Sequence, residues 1–376
     1  MITNPFILTG DIPEPYFCDR QEETKRLITA ITGGENICMV SPRRMGKSKL
    51  VKHCYRQTPL CEDYYCFYID LLHTASLRDF AFAFGKCVFE ALQPMGEKVA
   101  MEFLRVVKSL TASFTLDPIS GMPQLSLSLS DNIAPEFTFE NIFRYLENAD
   151  KPCVVCFDEF QQIANYQEKN VEALLRGYIQ HLGNTHFVYS GSERHMLYEM
   201  FGAHTRPFYR STGFIELNAI ALDKYTEFVQ YWFQQYNKTI DAELIALIYS
   251  VAEGNTFALQ KICHELFAAL QENETANREL LQTVVNNIIE TESSRYERML
   301  SHIPARQQEL LKAIAQENRV EKIMSGQFIR KYGLSSSSSV QNAIKRLLDM
   351  DLVTLDNKQY FIDDIFFRMY LRRISH

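Results

Sequence analysis

The sequence predicts an α/β chain. A three-layer αβα unit on a parallel sheet, carrying an inserted β-hairpin, is followed by a helical segment and a helix-helix-helix-hairpin tail. Three observations predict this. Short apolar runs alternate with helical patterns up to about residue 217, the pattern of a parallel sheet covered on both faces. Helical periodicity alone fills residues from about 223 to 298. From about Ser301, three short helical segments precede two short strands, which is a winged-helix outline. The expected boundaries are 1–220 for the sheet unit, with the hairpin at about 110–130, then 221–300 for the helical segment and 301–376 for the winged helix.

In order, residues 1 to about 20 read as loop, with Pro5, Pro13 and Pro15. Leu27, Ile28 and Ile31 fall on one face of a helix from Gln21 to Thr32. N-I-C-M-V (36–40) is a buried strand that runs into S-P-R-R-M-G-K-S (41–48), after which a helix begins. C-F-Y-I-D-L (66–71) is a second strand, and F-A-F-A-F-G-K-C-V-F-E-A-L lies on a long helix. Strict alternation in S-F-T-L and Q-L-S-L-S-L-S, with turn chemistry at Asp117-Pro118 and Gly121, predicts the hairpin. A helix at about 137–148 leads to C-V-V-C-F-D-E-F (153–160), an apolar strand ending in two acids. H-F-V-Y-S-G-S (186–192) and G-F-I-E-L (213–217) complete the series. Turns fall near Asn237 and Gly254-Asn255 in the helical segment. In the tail, helices at 304–316, 325–332 and 336–349 precede L-V-T-L-D and K-Q-Y-F-I.

Composition narrows the function classes. Hydrophobic residues make up 46% and charged residues 23% of 376, so the chain can build sizeable cores and is not a disordered polymer. The nine cysteines are scattered, and Cys153 and Cys156 lie three apart in a strand, hence on opposite faces, which argues against a shared metal. With neither a basic-then-apolar leader nor an apolar run near membrane length, a cytoplasmic protein without a membrane partner is expected. The formal charge of −7 is uneven: from Ser301 onward 12 Lys and Arg face 8 Asp and Glu, against 27 and 38 in the remainder. A basic tail on an acidic body permits a nucleic-acid partner without requiring one.

The chemistry starts at residue 41. G-x-x-x-x-G-K-[ST] cradles phosphates, and here Ser41 stands where the first glycine falls. The phosphate-touching positions are Gly46, Lys47 and Ser48: close backbone approach, a charge for the β- and γ-phosphates, and a hydroxyl for Mg²⁺. Ser41, Pro42, Arg43, Arg44, Met45 and Lys49 complete the expected nucleotide loop, Arg43 and Arg44 either adding charge near the phosphates or facing solvent. A carboxylate ending a neighbouring strand organises the metal shell, the expected role of Asp158, and Glu159 is the expected general base. A basic turn and a solvated acidic strand end are the bland alternatives. Ser190 and Ser192, at the tip of a further strand, are candidates for sensing phosphate or aligning water, or for capping the next helix. Arg206 and Arg210 are candidates for an arginine finger, in cis or from a neighbouring subunit, against a plain surface ion pair. In the tail, Lys345 and Arg346 on the third helix are the possible DNA contacts, unless the winged helix serves a protein partner.

As a set, these motifs resemble the archaeal-ATPase type of AAA P-loop ATPases, near the STAND and origin-recognition classes. S-P-R-R-M-G-K-S is similar to that family's G-P-R-R-x-G-K-[ST] loop, C-F-D-E-F-Q-Q to its hhhDEhQ strand, and Y-S-G-S-E-R to its sensor strand. E-G-N-T-F-A-L-Q resembles the G-G-N-P motif of its helical lid, with Thr256 for proline and Gln260-Lys261 where a sensor arginine is expected. D-I-F-F-R-M-Y-L-R-R is similar to its closing signature. The N-terminal box ending Asp19-Arg20-Gln21-Glu22 is similar to G-R-E-x-E, and implies that Phe17, Asp19 and Arg20 lie on the adenine side. The resemblance implies ATP rather than GTP, Mg²⁺ and ATP hydrolysis. In that reading the catalytic set is Lys47, Glu159, Ser192 and Arg210, and nucleotide state moves the winged helix. The alternatives are a low-turnover nucleotide-gated switch bound to a protein, and a DNA-binding regulator.

Overall fold

The structure, a computed structural model, describes residues 4–116 and 123–375. They divide into two compact units: Arg20–Asn218, and Met1–Asp19 together with Ala219–His376.

In the first unit, five parallel strands form a sheet in the order β2-β5-β6-β1-β7. They are β1 (Ile37–Val40), β2 (Tyr65–Asp70), β5 (Cys153–Asp158), β6 (Thr185–Gly191) and β7 (Gly213–Glu216). β1 and β5 are buried along their whole length, which is why they read as unbroken apolar runs. The helix Leu77–Leu92 is capped by Ser76, whose hydroxyl accepts from the Asp79 N–H. Its face carries Phe80 and Phe84, which meet Phe157 of β5 edge-on with centroids 5.0 and 5.2 Å apart. Phe157, Phe160, Phe187 and Tyr189 continue this aromatic layer, and burying each ring contributes about 1.5–3 kcal/mol.

The hairpin pairs β3 (Leu110–Leu116) with β4 (Pro123–Leu129) in antiparallel register, Leu110 opposite Leu129. Its expected turn at Asp117-Pro118 and Gly121 lies outside the described residues. A helix at Glu97–Val106 precedes it, which periodicity in the sequence does not separate from the long helix before it.

In the second unit the helices Leu222–Gln235, Ala242–Val251, Thr256–Ala269 and Arg278–Ser301 share one core with Phe6, which contacts Phe233 and Phe267. Helices Ala305–Glu317, Gly326–Lys331 and Ser337–Asp349 follow, then the hairpin of β8 (Thr354–Asp356) and β9 (Gln359–Phe361). Val320 bridges to Tyr360 and extends the wing. The closing segment, read only as a signature, is a further helix, Ile365–Arg373: Asp364 caps it and Ile365, Phe366, Phe367, Tyr370 and Leu371 face the core. Among the described residues, no helix is long and apolar enough to cross a membrane.

Candidate functional site

In a parallel sheet, the loops at the carboxyl ends of the strands converge where the strand order switches. Here β1 lies beside β6, β6 beside β5 and β5 beside β2, so the ends of all four strands meet.

The loop from Ser41 to Gly46 leaves β1 and opens the helix Lys47–Cys54. Gly46 sits at φ 93°, a left-handed conformation that a side chain rarely adopts, immediately before the helix. Arg44, exposed, also has positive φ, 62°. Lys47 is buried and donates to the Ser41 carbonyl at 3.3 Å, to Ser41 Oγ at 3.0 Å and to the Pro42 carbonyl at 3.2 Å. Ser41 therefore brings a hydroxyl to the lysine, a contact that glycine could not make. Met45 is buried, and its carbonyl accepts from Arg20 Nη2 at 3.4 Å, which ties the start of the first helix to the loop. Arg20 is itself paired with Glu23 at 2.7 Å. Pro42 is half-buried and Lys49 lies in the first turn of the helix.

Ser48 Oγ donates to Asp158 Oδ2 at 2.6 Å. The same oxygen accepts from the Tyr68 hydroxyl, while Oδ1 accepts from the Ser190 hydroxyl and, at 3.1 Å, from the Glu159 N–H. These partners come from the phosphate-loop helix, β2 and β6. Burial, then the neighbouring Asp158, push the Tyr68 phenol far above its ordinary range, so it stays a donor. Asp70, opposite Asp158 in the β2–β5 register, has its carboxyl raised, first by burial and further by Asp158 and Glu159. Among the described residues, the side chains that hydrogen-bond to Asp158 are all hydroxyls, with no thiol or imidazole. The Ser48 hydroxyl and the Asp158 carboxylate are hard oxygen ligands of the kind that fits Mg²⁺.

Glu159 takes a left-handed turn (φ 53°, ψ 44°) as the strand ends, which aims its carboxylate at β6. Its Oε2 accepts from Gln161 Nε2 at 2.5 Å, from Ser192 Oγ at 2.8 Å and from the Ser192 N–H at 3.1 Å. Ser192 Oγ also accepts from Arg43 Nε at 3.3 Å. The two serines thus divide: Ser190 serves Asp158 and Ser192 serves Glu159. Cys153 and Cys156 are both buried in β5, and burial pushes the Cys153 thiol up to about 12 and Cys156 well above the thiol range.

The arginines differ. Arg206 is paired with Glu172 at 2.9 Å and Glu199 at 2.6 Å, the ion-pair alternative. Arg210 is exposed, with its guanidinium 5.2 Å from the centre of the Tyr209 ring. Phe17 and Asp19 fall in the other unit, Phe17 half-buried and Asp19 at φ 54°. Lys345 and Arg346 are exposed on the helix Ser337–Asp349, capped by the Ser336 hydroxyl. Tyr68 is not singled out by sequence. Gln161 is the closing glutamine of the hhhDEhQ pattern and Gly191 lies within Y-S-G-S-E-R, but neither is given a role there.

The family described as an ATPase domain predominantly from Archaea matches residues 17–262. The chain belongs to this ATPase family. A family described as a probable winged helix domain matches residues 294–373. No curated protein sequence matches the chain. Among solved structures, the chain is similar to a Walker-type ATPase of Pyrococcus abyssi, with 17% identity and TM-score 0.66 over 98% of this chain and 99% of that one. The Aeropyrum pernix ORC2 protein, solved as ADPNP and ADP complexes, is 12% identical with TM-score 0.56 over 99% and 98% of the two chains. The Aeropyrum pernix ORC1 protein, solved in complex with DNA, is 12% identical with TM-score 0.53 over 99% and 97%. At these identities the likeness is one of fold: a P-loop NTPase sheet followed by a winged helix.

Proposed function

We propose that the protein is a Mg²⁺-dependent ATPase that couples its nucleotide state to movement of its winged helix. The observation that carries this reading is the 2.6 Å hydrogen bond from Ser48 Oγ to Asp158 Oδ2. It joins the phosphate loop to an acidic strand end 110 residues away, the pairing that a nucleotide-bound metal requires. Lys47 now rests on three loop oxygens and would exchange them for phosphate oxygens. Ser48 and Asp158 would hold Mg²⁺, which when bound neutralises charge on the β- and γ-phosphate oxygens. Glu159 takes a proton from the attacking water, and Ser192 keeps its carboxylate facing β6. Phe17, Asp19 and Arg20 are the proposed adenine-side residues.

A second reading, a switch that binds nucleotide tightly and turns over slowly, is favoured by the state of the cations. Arg206 is committed to two glutamates, and Lys261, where a sensor arginine is expected, is paired with Glu265 at 2.7 Å. Arg210 remains the candidate finger. Phosphate release by the wild type, Lys47→Ala and Glu159→Gln separates the readings. The ATPase reading expects steady multiple turnover, loss of nucleotide affinity in Lys47→Ala, and a fall of at least about 100-fold in kcat with retained affinity in Glu159→Gln. A wild type that retains nucleotide without turnover supports the switch, and one that binds no nucleotide overturns both.

A further inference from the structure

Three donors converge on one oxygen of Glu159, and one of them has a setting of its own. Gln161 is 3% exposed and belongs to the short helix Phe160–Asn165, directly after the left-handed turn at Glu159. Its Nε2 lies 2.5 Å from Glu159 Oε2. Its Oε1 is buried and has no hydrogen-bond partner among the described residues, an arrangement that costs free energy and that a role for the Nε2 end would offset. That oxygen lies against the backbone of Gly191, the last residue of β6: a Cβ on Gly191 would stand 2.0 Å from Gln161 Oε1 and 3.0 Å from Leu197 Cδ1. Gly191 is therefore needed for close approach, since any side chain there would expel the amide.

We propose that Gln161 is the positioning residue for Glu159, and that Gly191 is glycine so that Gln161 can reach it. This rests on the reading of Glu159 as general base. With Gln161 Nε2, Ser192 Oγ and the Ser192 N–H all on Oε2, that oxygen's acceptor capacity is used, and Oε1 is the oxygen left to take a proton. In the hydrolytic step the water oxygen bonds to the γ-phosphorus, the bond to the bridging oxygen breaks with its electron pair leaving on ADP, and the water proton passes to Glu159 Oε1. Gln161 touches none of the reacting atoms. It sets which carboxylate oxygen faces them, and a small misplacement of a base is costly in rate.

The test uses the full chain with Gln161→Ala, Gly191→Ala and the double variant. ATP affinity is read with a fluorescent analogue, turnover by phosphate release, and Ser192 amide exchange by hydrogen-deuterium exchange without nucleotide. Gln161→Ala is expected to lower kcat by about 10- to 100-fold with affinity within about twofold, because only the orientation of the base is lost. Gly191→Ala is expected to give a similar loss, and to cost nothing further in the Gln161→Ala background, where the side chain it would displace is already gone. Ser192 amide exchange should quicken in both single variants, since the carboxylate it is bonded to is no longer held. Additive losses from the two substitutions, or wild-type kcat in Gln161→Ala, would overturn the assignment. If the wild type binds ATP without hydrolysing it, the general-base reading fails by itself. The Ser192 amide then decides the positioning claim: unchanged exchange in Gln161→Ala overturns it and faster exchange upholds it.

Discussion

Asp158 is buried and ionisable, and it is tolerated because both carboxylate oxygens are met by donors. Tyr68 supplies one of them from the neighbouring strand, and Lys52 Nζ lies 4.8 Å from the centre of its ring. Tyr68→Phe keeps the ring and removes only the hydroxyl. Its expected cost is about 1.5–3 kcal/mol of unfolding free energy at neutral pH, the value of a hydrogen bond to a charged acceptor, read by urea denaturation. A loss below about 0.5 kcal/mol would mean that the hydroxyl contributes nothing to holding the carboxylate. The Ser48–Asp158 meeting was legible in the sequence, because G-K-S and an apolar strand ending in D-E each state their own chemistry. Tyr68 was not legible. It reads as one aromatic in an apolar strand until the β2–β5 register, Tyr68 opposite Cys156, brings its hydroxyl to Asp158.

The turn Glu253-Gly254-Asn255 shows how an element can depend on a distant one. It closes the helix Ala242–Val251, with Glu253 at φ 50° and Gly254 at φ 70°, and Asn255 caps the helix that follows. Arg368, in the closing helix, is 3% exposed and donates from Nη2 to Glu253 Oε1 at 2.5 Å, while its Nε is buried without a partner among the described residues. Removing the acid would leave a buried guanidinium uncompensated, which costs more than losing the pair as a whole. Glu253→Gln is expected to lower stability by about 2 kcal/mol, below the usual range for a fully buried pair because Glu253 is 40% exposed. Adding Arg368→Met should recover most of that loss in the same urea titration. Equal, additive losses would show that the two side chains are energetically independent. The turn itself was legible from Gly254-Asn255. The closing helix was not read as an element, because beside the two strand segments its apolar residues 365–367 look like more of the same run. They become part of a helix once Asp364 caps it, with Phe366, Phe367, Tyr370 and Leu371 on the side the core receives.

Over the whole molecule the charge is divided, an acidic body and a tail with an excess of four cations. Lys345 and Arg346 stand exposed on the third helix of the winged-helix segment, where a groove-reading surface would lie if the partner is DNA. In that case a duplex mobility shift should weaken as salt rises, and the Lys345→Ala/Arg346→Ala variant should lower the salt slope by about 2, one unit for each phosphate left unneutralised. No shift at low salt would remove DNA and leave a protein partner for this surface. The sequence by itself determined the alternation of strands and helices, the phosphate loop, the acidic strand end and the winged helix. Each is written in a local period or a short spacing, and helices, strands and turns form from interactions that neighbours along the chain can state. Tertiary structure alone decided what surrounds the two acids: strand order placed Tyr68 and Ser190 on Asp158, and Gly191 admitted Gln161 to Glu159. Those arrangements depend on which strands lie side by side and how closely a backbone can be approached; the hhhDEhQ and Y-S-G-S-E-R patterns contain Gln161, Ser190 and Gly191, but no local pattern states which groups they meet.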